Sequence, residues 1–262
     1  MTSPRKTYII ANWKMNFTPG EASLYLHRLE KRITPSRNVQ VILAPSTVAL
    51  QPLSLQINRR QFKLAAQNFY WRDYGAYTGE TSVSQLRGFV DYAIVGHSER
   101  RYVFNESEED IAKKVAAAIR NNLTPILCIG ETAMERKDGE TAAAIYSQLI
   151  NGLHEVSKED ISKIIIAYEP VWAISSNKNA RPAKPADIDE AQILIRKHIS
   201  KLFGKTASEQ IPVLYGGSVN SDTAGGYLSI NGIDGLLIGG ASLIADSFCA
   251  IVETAKGMKK YE

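Results

Sequence analysis

The chain has 262 residues, of which 44% are hydrophobic and 22% charged, and its formal net charge is +4. This balance excludes a disordered, collagen-like or coiled-coil chain, and the length suits a single α/β barrel. The basic excess is mild and carries no dense block, so it is no nucleic-acid signature, while a small anionic substrate is compatible with it.

Short apolar, β-branched-rich runs alternate with segments of helical period along the whole chain. TYIIANW (7–13) is followed by a helix over Pro19–Ile33, with Thr18 as N-cap ahead of a proline in the first turn. VQVILAP (39–45) and FKLAAQN (62–68) precede short, weakly marked helices. DYAIVGH (91–97) leads to a helix over Glu106–Asn121, whose opening acids suit the positive end of a helix dipole. TPILCIG (124–130) and KIIIAYE (163–169) precede helices over Gly139–Val156 and Asp187–Phe203. IPVLYGG (211–217) precedes another short helix, and DGLLIGG (234–240) a last one over Ala241–Gly257. The strands read as continuous apolar runs, which suits a parallel sheet buried on both faces. Strict β/α alternation allows an open doubly wound sheet or a closed barrel, and eight strands in this length favour an eight-stranded parallel β/α barrel. No linker or composition break divides the chain, so one domain is expected over residues 1–262.

Cys128 and Cys249 belong to no CxxC pattern, which argues against a disulfide framework or a structural zinc and for a reducing compartment. The first apolar run meets Asn12 and Lys14 too early for a signal-peptide core. No stretch approaches the roughly 18 apolar residues that a membrane span needs. A cytoplasmic protein with no membrane partner is expected.

Such a barrel carries its chemistry on the loops at the C-terminal strand ends. There the sequence places Asn12 and Lys14 after strand one, His97 and Glu99 after strand four, and Glu169 after strand six. Gly-Gly pairs follow strands seven and eight, where backbone N–H groups can hold a phosphate. A carboxylate sheltered from water can remove a proton from carbon, and an imidazole with an ammonium can stabilise the oxygen charge that results. Together they point to proton transfer beside a carbonyl in a small phosphorylated sugar. No metal is implied, since His97 and Glu99 are only two residues apart and His27, His154 and His198 fall in predicted helices away from the rim. Taken singly each feature has a blander reading: a structural histidine, a surface carboxylate, a solvated lysine, ordinary glycine turns. The acids from Glu106 to Asp110 read simply as a helix start.

The motifs ANWKMN (11–16), AAQN (65–68), GAYTGE (75–80), IVGHSERR (94–101), CIGET (128–132), AYEPVWAI (167–174), YGGSV (215–219) and GGASL (239–243) stand in the order and spacing of the triosephosphate isomerase family, which the chain resembles over essentially its whole length. The resemblance implies the TIM-barrel fold and cofactor-free interconversion of dihydroxyacetone phosphate and glyceraldehyde 3-phosphate. It implies Glu169 as the base, His97 as a neutral electrophile, and Lys14 and Asn12 as substrate binders. It also implies Glu99 as a second acid on Lys14, Cys128 as a packing neighbour of the base, and Ser175, Ser218, Gly239 and Gly240 as phosphate binders. A homodimer is implied too, with contacts at Thr78, Tyr77, Trp71 and Met15; Thr78 would approach Asn12 of the partner subunit. Five aromatics in the nine residues 69–77 support an interface there, being costly to leave in water.

The chain departs from the family at its lid. The family's IGTGK is replaced by Ile174-Ser175-Ser176-Asn177-Lys178, with no glycine, followed by a longer and more basic stretch. The lid is expected to close still, at an altered rate, with asparagine tolerating the φ > 0 that glycine would supply. Two other functions compete. A Schiff-base aldolase on the same barrel would need a strand-end lysine inside the barrel, and strands five to seven offer none. A non-catalytic phosphate binder would have no need of Lys14, His97 and Glu169 together.

Overall fold

The computed structural model describes residues 6–175 and 180–258. Eight parallel strands close on themselves in sequence order: β1 Thr7–Asn12, β2 Val39–Ala44, β3 Phe62–Ala66, β4 Tyr92–Val95, β5 Thr124–Ile129, β6 Ile165–Tyr168, β7 Val213–Tyr215 and β8 Gly235–Ile238. Closure is made by β1 against β8, with Ile9 opposite Leu236 and Ala11 opposite Ile238.

The strands are largely apolar because they face two apolar layers, with Thr7, Gln40, Lys63 and Thr124 at or near their N-terminal ends and Asn12 at the opposite rim. Ile9 and Ala11 pack outward against the helices, while Ile10 between them points into the barrel with Ile42, Ala65, Ile94, Ile126, Ala167 and Leu214. Strand alternation therefore sorts residues between two cores, and this is why no polar period appears in the sequence.

Helices cover the outside. α1 Pro19–Glu30 begins at Thr18, whose side chain and that of Glu21 form a reciprocal capping box. α2 Thr47–Gln56, α3 Val83–Leu86 and α4 Ser98–Tyr102 are short. α5 Glu108–Arg120 is capped by Ser107. α6 Ala133–Lys137, α7 Thr141–Gly152, α8 Pro185–Phe203, α9 Lys205–Gln210, α10 Ser221–Leu228 and α11 Ala245–Gly257 complete the ring. The strands are shorter than the apolar runs suggested, since each run extends into its C-terminal loop.

Two sequence expectations change here. His154 lies in the turn after α7 and not in a helix. Glu106 is no simple helix start: its carboxylate is buried and paired with the equally buried Lys114 and with Arg100. Among the described residues, no helix is long and apolar enough to cross a membrane.

Candidate active site

The C-terminal rim brings together the cation, the imidazole and the carboxylates that the sequence placed there. Lys14 follows β1 in a left-handed conformation, φ 51°. That backbone is pinned at both ends: its N–H donates to Asn12 Oδ1 at 3.1 Å, and its carbonyl accepts from Gln67 at 2.9 Å. The ammonium is thereby turned onto Glu99, with Nζ 2.6 Å from Oε1. Asn12 is buried beneath it.

His97 ends the loop after β4 and serves as N-cap of α4, its Nδ1 accepting the Glu99 N–H at 3.2 Å. Only an unprotonated Nδ1 can accept that bond, so in this arrangement the imidazole is neutral and its proton sits on Nε2. Nε2 lies 3.3 Å from Oε1 of Glu169. Both side chains are nearly closed off from solvent, at 6% and 4% exposure. Glu169 Oε2 is buried with no hydrogen-bond partner among the described residues. Such a group is rare in a packed interior. Cys128 lies fully buried beside Glu169; burial first, and then the charge of that carboxylate, push its thiol well above the ordinary range. It is a neutral packing partner and no nucleophile.

The two glycine pairs differ. A Cβ on Gly216 would lie 2.6 Å from Cγ of Glu169, and one on Gly217 would lie 2.1 Å from the Tyr215 hydroxyl oxygen. The Gly216 N–H is already taken by the Tyr168 carbonyl at 2.8 Å. The pair after β7 therefore makes room for side chains, and the Gly216 N–H is not free for a ligand. After β8 the space is open: a Cβ on Gly239 would meet Lys14 only at 3.5 Å, and one on Gly240 would meet nothing within 4 Å. Ser218 is engaged internally, its N–H and its hydroxyl both donating to the Ala173 carbonyl at 2.8 Å.

Sequence reasoning gave no role to Glu131, the fully buried carboxylate at the end of β5. It accepts from the Tyr168 hydroxyl at 3.0 and 3.1 Å and from the Trp172 indole N–H at 2.8 Å, and Arg136 stands 3.4 Å away. The charge of Glu131, after burial, raises the Tyr168 hydroxyl far above its usual value. Glu131 thus anchors the turn that follows Glu169. The available signal was an acid at one strand end and a tyrosine and a tryptophan around the next.

Ser175 is exposed at the start of the lid, and Ser176 and Asn177 lie outside the described residues. In the loop after β3 the five aromatics divide. Phe69 is core, Tyr70 stacks on both Trp71 and Tyr77 with ring centroids 4.1 and 4.5 Å away, and Tyr74 is 85% exposed. Part of the expected cost in water is therefore met within the loop. Thr78 is exposed and Met15 is 96% exposed.

A family model described as triosephosphate isomerase matches residues 7–255. The triosephosphate isomerase of Caldanaerobacter subterraneus subsp. tengcongensis is 41% identical over 249 residues, spanning 95% of this chain and 99% of the relative. That of Lactococcus lactis subsp. lactis is 41% identical over 253 residues, spanning 96% and 99%. That of Streptococcus mutans is 39% identical over 254 residues, again spanning 96% and 99%. With the rim geometry and these matches agreeing along the whole barrel, the chain belongs to the triosephosphate isomerase family.

Proposed function

We propose that the protein interconverts dihydroxyacetone phosphate and glyceraldehyde 3-phosphate through an enediolate, with Glu169 moving the proton between the two carbons. The observation that carries this reading is the buried pair of Glu169 and His97, 3.3 Å apart, with the imidazole proton on the side that faces the carboxylate. In that tautomer Nε2–H donates to the substrate oxygen on which charge builds, and Lys14 adds a fixed positive charge beside it. Glu99 holds Lys14 through its 2.6 Å contact. Asn12 positions Lys14 from below and offers its amide to substrate.

The phosphate belongs at Gly239 and Gly240, the open glycine pair, with the N–H groups of Ser218 and Ser175 completing the cradle. For Ser218 to take part, the turn carrying Ala173 must release it. The nearly fully exposed Met15, with Thr78, Tyr77 and the half-buried Trp71 on a neighbouring loop, supports a homodimer through this face. A cytoplasmic location accords with the sequence.

The test is a coupled assay of glyceraldehyde 3-phosphate isomerisation, with methylglyoxal followed in the same sample. Fast turnover without methylglyoxal is expected, because a site that excludes water holds its intermediate. Phosphate binding with no turnover would contradict the reading. Sedimentation at micromolar concentration should find a dimer, and a fully active monomer would rule that out.

A further inference from the structure

The turn after the base is held from several sides. Glu131 takes the Val171 N–H through its carbonyl at 3.0 Å and the Trp172 indole N–H through its carboxylate at 2.8 Å. Ser218 takes the Ala173 carbonyl twice. Another anchor comes from further along the same loop. The Arg181 guanidinium carbon stands 5.2 Å from the centre of the Trp172 ring, and the Arg181 backbone N–H donates to the Trp172 carbonyl at 3.2 Å. Arg136 approaches the same indole at 4.5 Å. Trp172 is only 7% exposed, whereas Arg181 is exposed. An exposed arginine that covers a buried indole contributes to the position of the ring more than to the core.

We propose that Arg181 is a positioning residue for the reaction: by stacking on Trp172 it holds the 171–173 turn against Ser218 and so lowers the affinity of the phosphate cradle. The inference rests on the reading of Ser218, Gly239 and Gly240 as that cradle. The docked turn and a phosphate compete for Ser218. While the Ala173 carbonyl occupies both the N–H and the hydroxyl of Ser218, neither can turn to a phosphate. Any contact that favours this docked turn reduces the binding-competent population, and apparent affinity falls by the same factor. A guanidinium over an indole at a solvent-facing site shifts such an equilibrium by roughly two- to fivefold.

The direction of the effect makes the inference testable. Loss of a merely structural contact would loosen the site and weaken binding; loss of Arg181 strengthens it. Inorganic phosphate is titrated by calorimetry into the whole protein at about 0.15 M salt, where charges farther apart than about 8 Å are screened. Arg181→Ala is expected to bind phosphate roughly two- to fivefold more tightly than the parent chain. Arg181→Lys, which keeps the charge but loses the planar stack, should tighten binding by less than Arg181→Ala does. A phosphate Kd in Arg181→Ala equal to or weaker than the parent's would overturn the inference. Gly240→Asp checks the reading beneath it separately, since it points a carboxylate into the open space of the cradle. It should abolish phosphate binding. Full phosphate binding by Gly240→Asp would remove the cradle and the inference with it.

Discussion

The loops after β7 and β8 carry the same signal, a pair of glycines, and the pairs perform opposite tasks. Gly216 and Gly217 are crowded from both sides, one by the base and the other by the Tyr215 ring. Gly239 and Gly240 face open space beside Lys14. In the first pair the missing side chain gives room to other side chains; in the second it leaves open space on the rim, where we place the phosphate. A glycine pair in sequence therefore says that something approaches the backbone closely, and only the packing around it says what.

The sharpest way to separate the pairs is to add a methyl group to each. His97→Gln sets the scale, since loss of one preorganised donor to a developing oxyanion should reduce kcat by about 10²- to 10³-fold with little change in phosphate binding. An unchanged kcat in that variant would mean that the imidazole is not the electrophile. Gly216→Ala should come next, with a loss on the order of 10²-fold, because its Cβ displaces the Glu169 side chain from its attack position. Glu169→Asp, which withdraws the carboxylate by one methylene, should produce a similar loss by another route, and steady-state kinetics compare the two directly.

Gly217→Ala meets the Tyr215 hydroxyl and not the base, so it should act on stability, by about 1–3 kcal/mol in denaturant unfolding, as overpacking does. Gly240→Ala meets no described protein atom within 4 Å, so it should leave stability within about 0.5 kcal/mol and act, if at all, on phosphate affinity. If Gly240→Ala destabilised the fold as much as Gly217→Ala, the distinction between the crowded and the open pair would fail.

Much of this was legible in the sequence, for physical reasons. Strand positions could be read because most strand residues face an apolar layer, Ile9 outward and Ile10 inward, so the runs stand out without a regular alternation. The identity of the rim residues followed from the rule that places chemistry at the C-terminal strand ends, and the structure brings Lys14, His97, Glu99 and Glu169 to one rim. The role of Gly216 was not legible, because its neighbour Glu169 is 47 residues away and meets it only through the pairing of β6 with β7. Glu131 was missed for the same reason: its partners Tyr168 and Trp172 are brought to it by the adjoining strand. Glu106 looked like one acid in a helix-starting series until folding buried it against Lys114. What remained hidden were pairings between neighbouring elements, which residue spacing alone does not encode.

On the proposed reading, a buried Glu169 beside a neutral His97 carries a proton between two carbons. Isomerisation of dihydroxyacetone phosphate in deuterium oxide, with the product examined for label at the carbon beside the carbonyl, tests this step. A carboxylate that takes the proton can exchange it with solvent before returning it, so deuterium is expected at that carbon, and Glu169→Gln should lose turnover and labelling together. Product formed at full rate with no deuterium, and unaffected by Glu169→Gln, would contradict it.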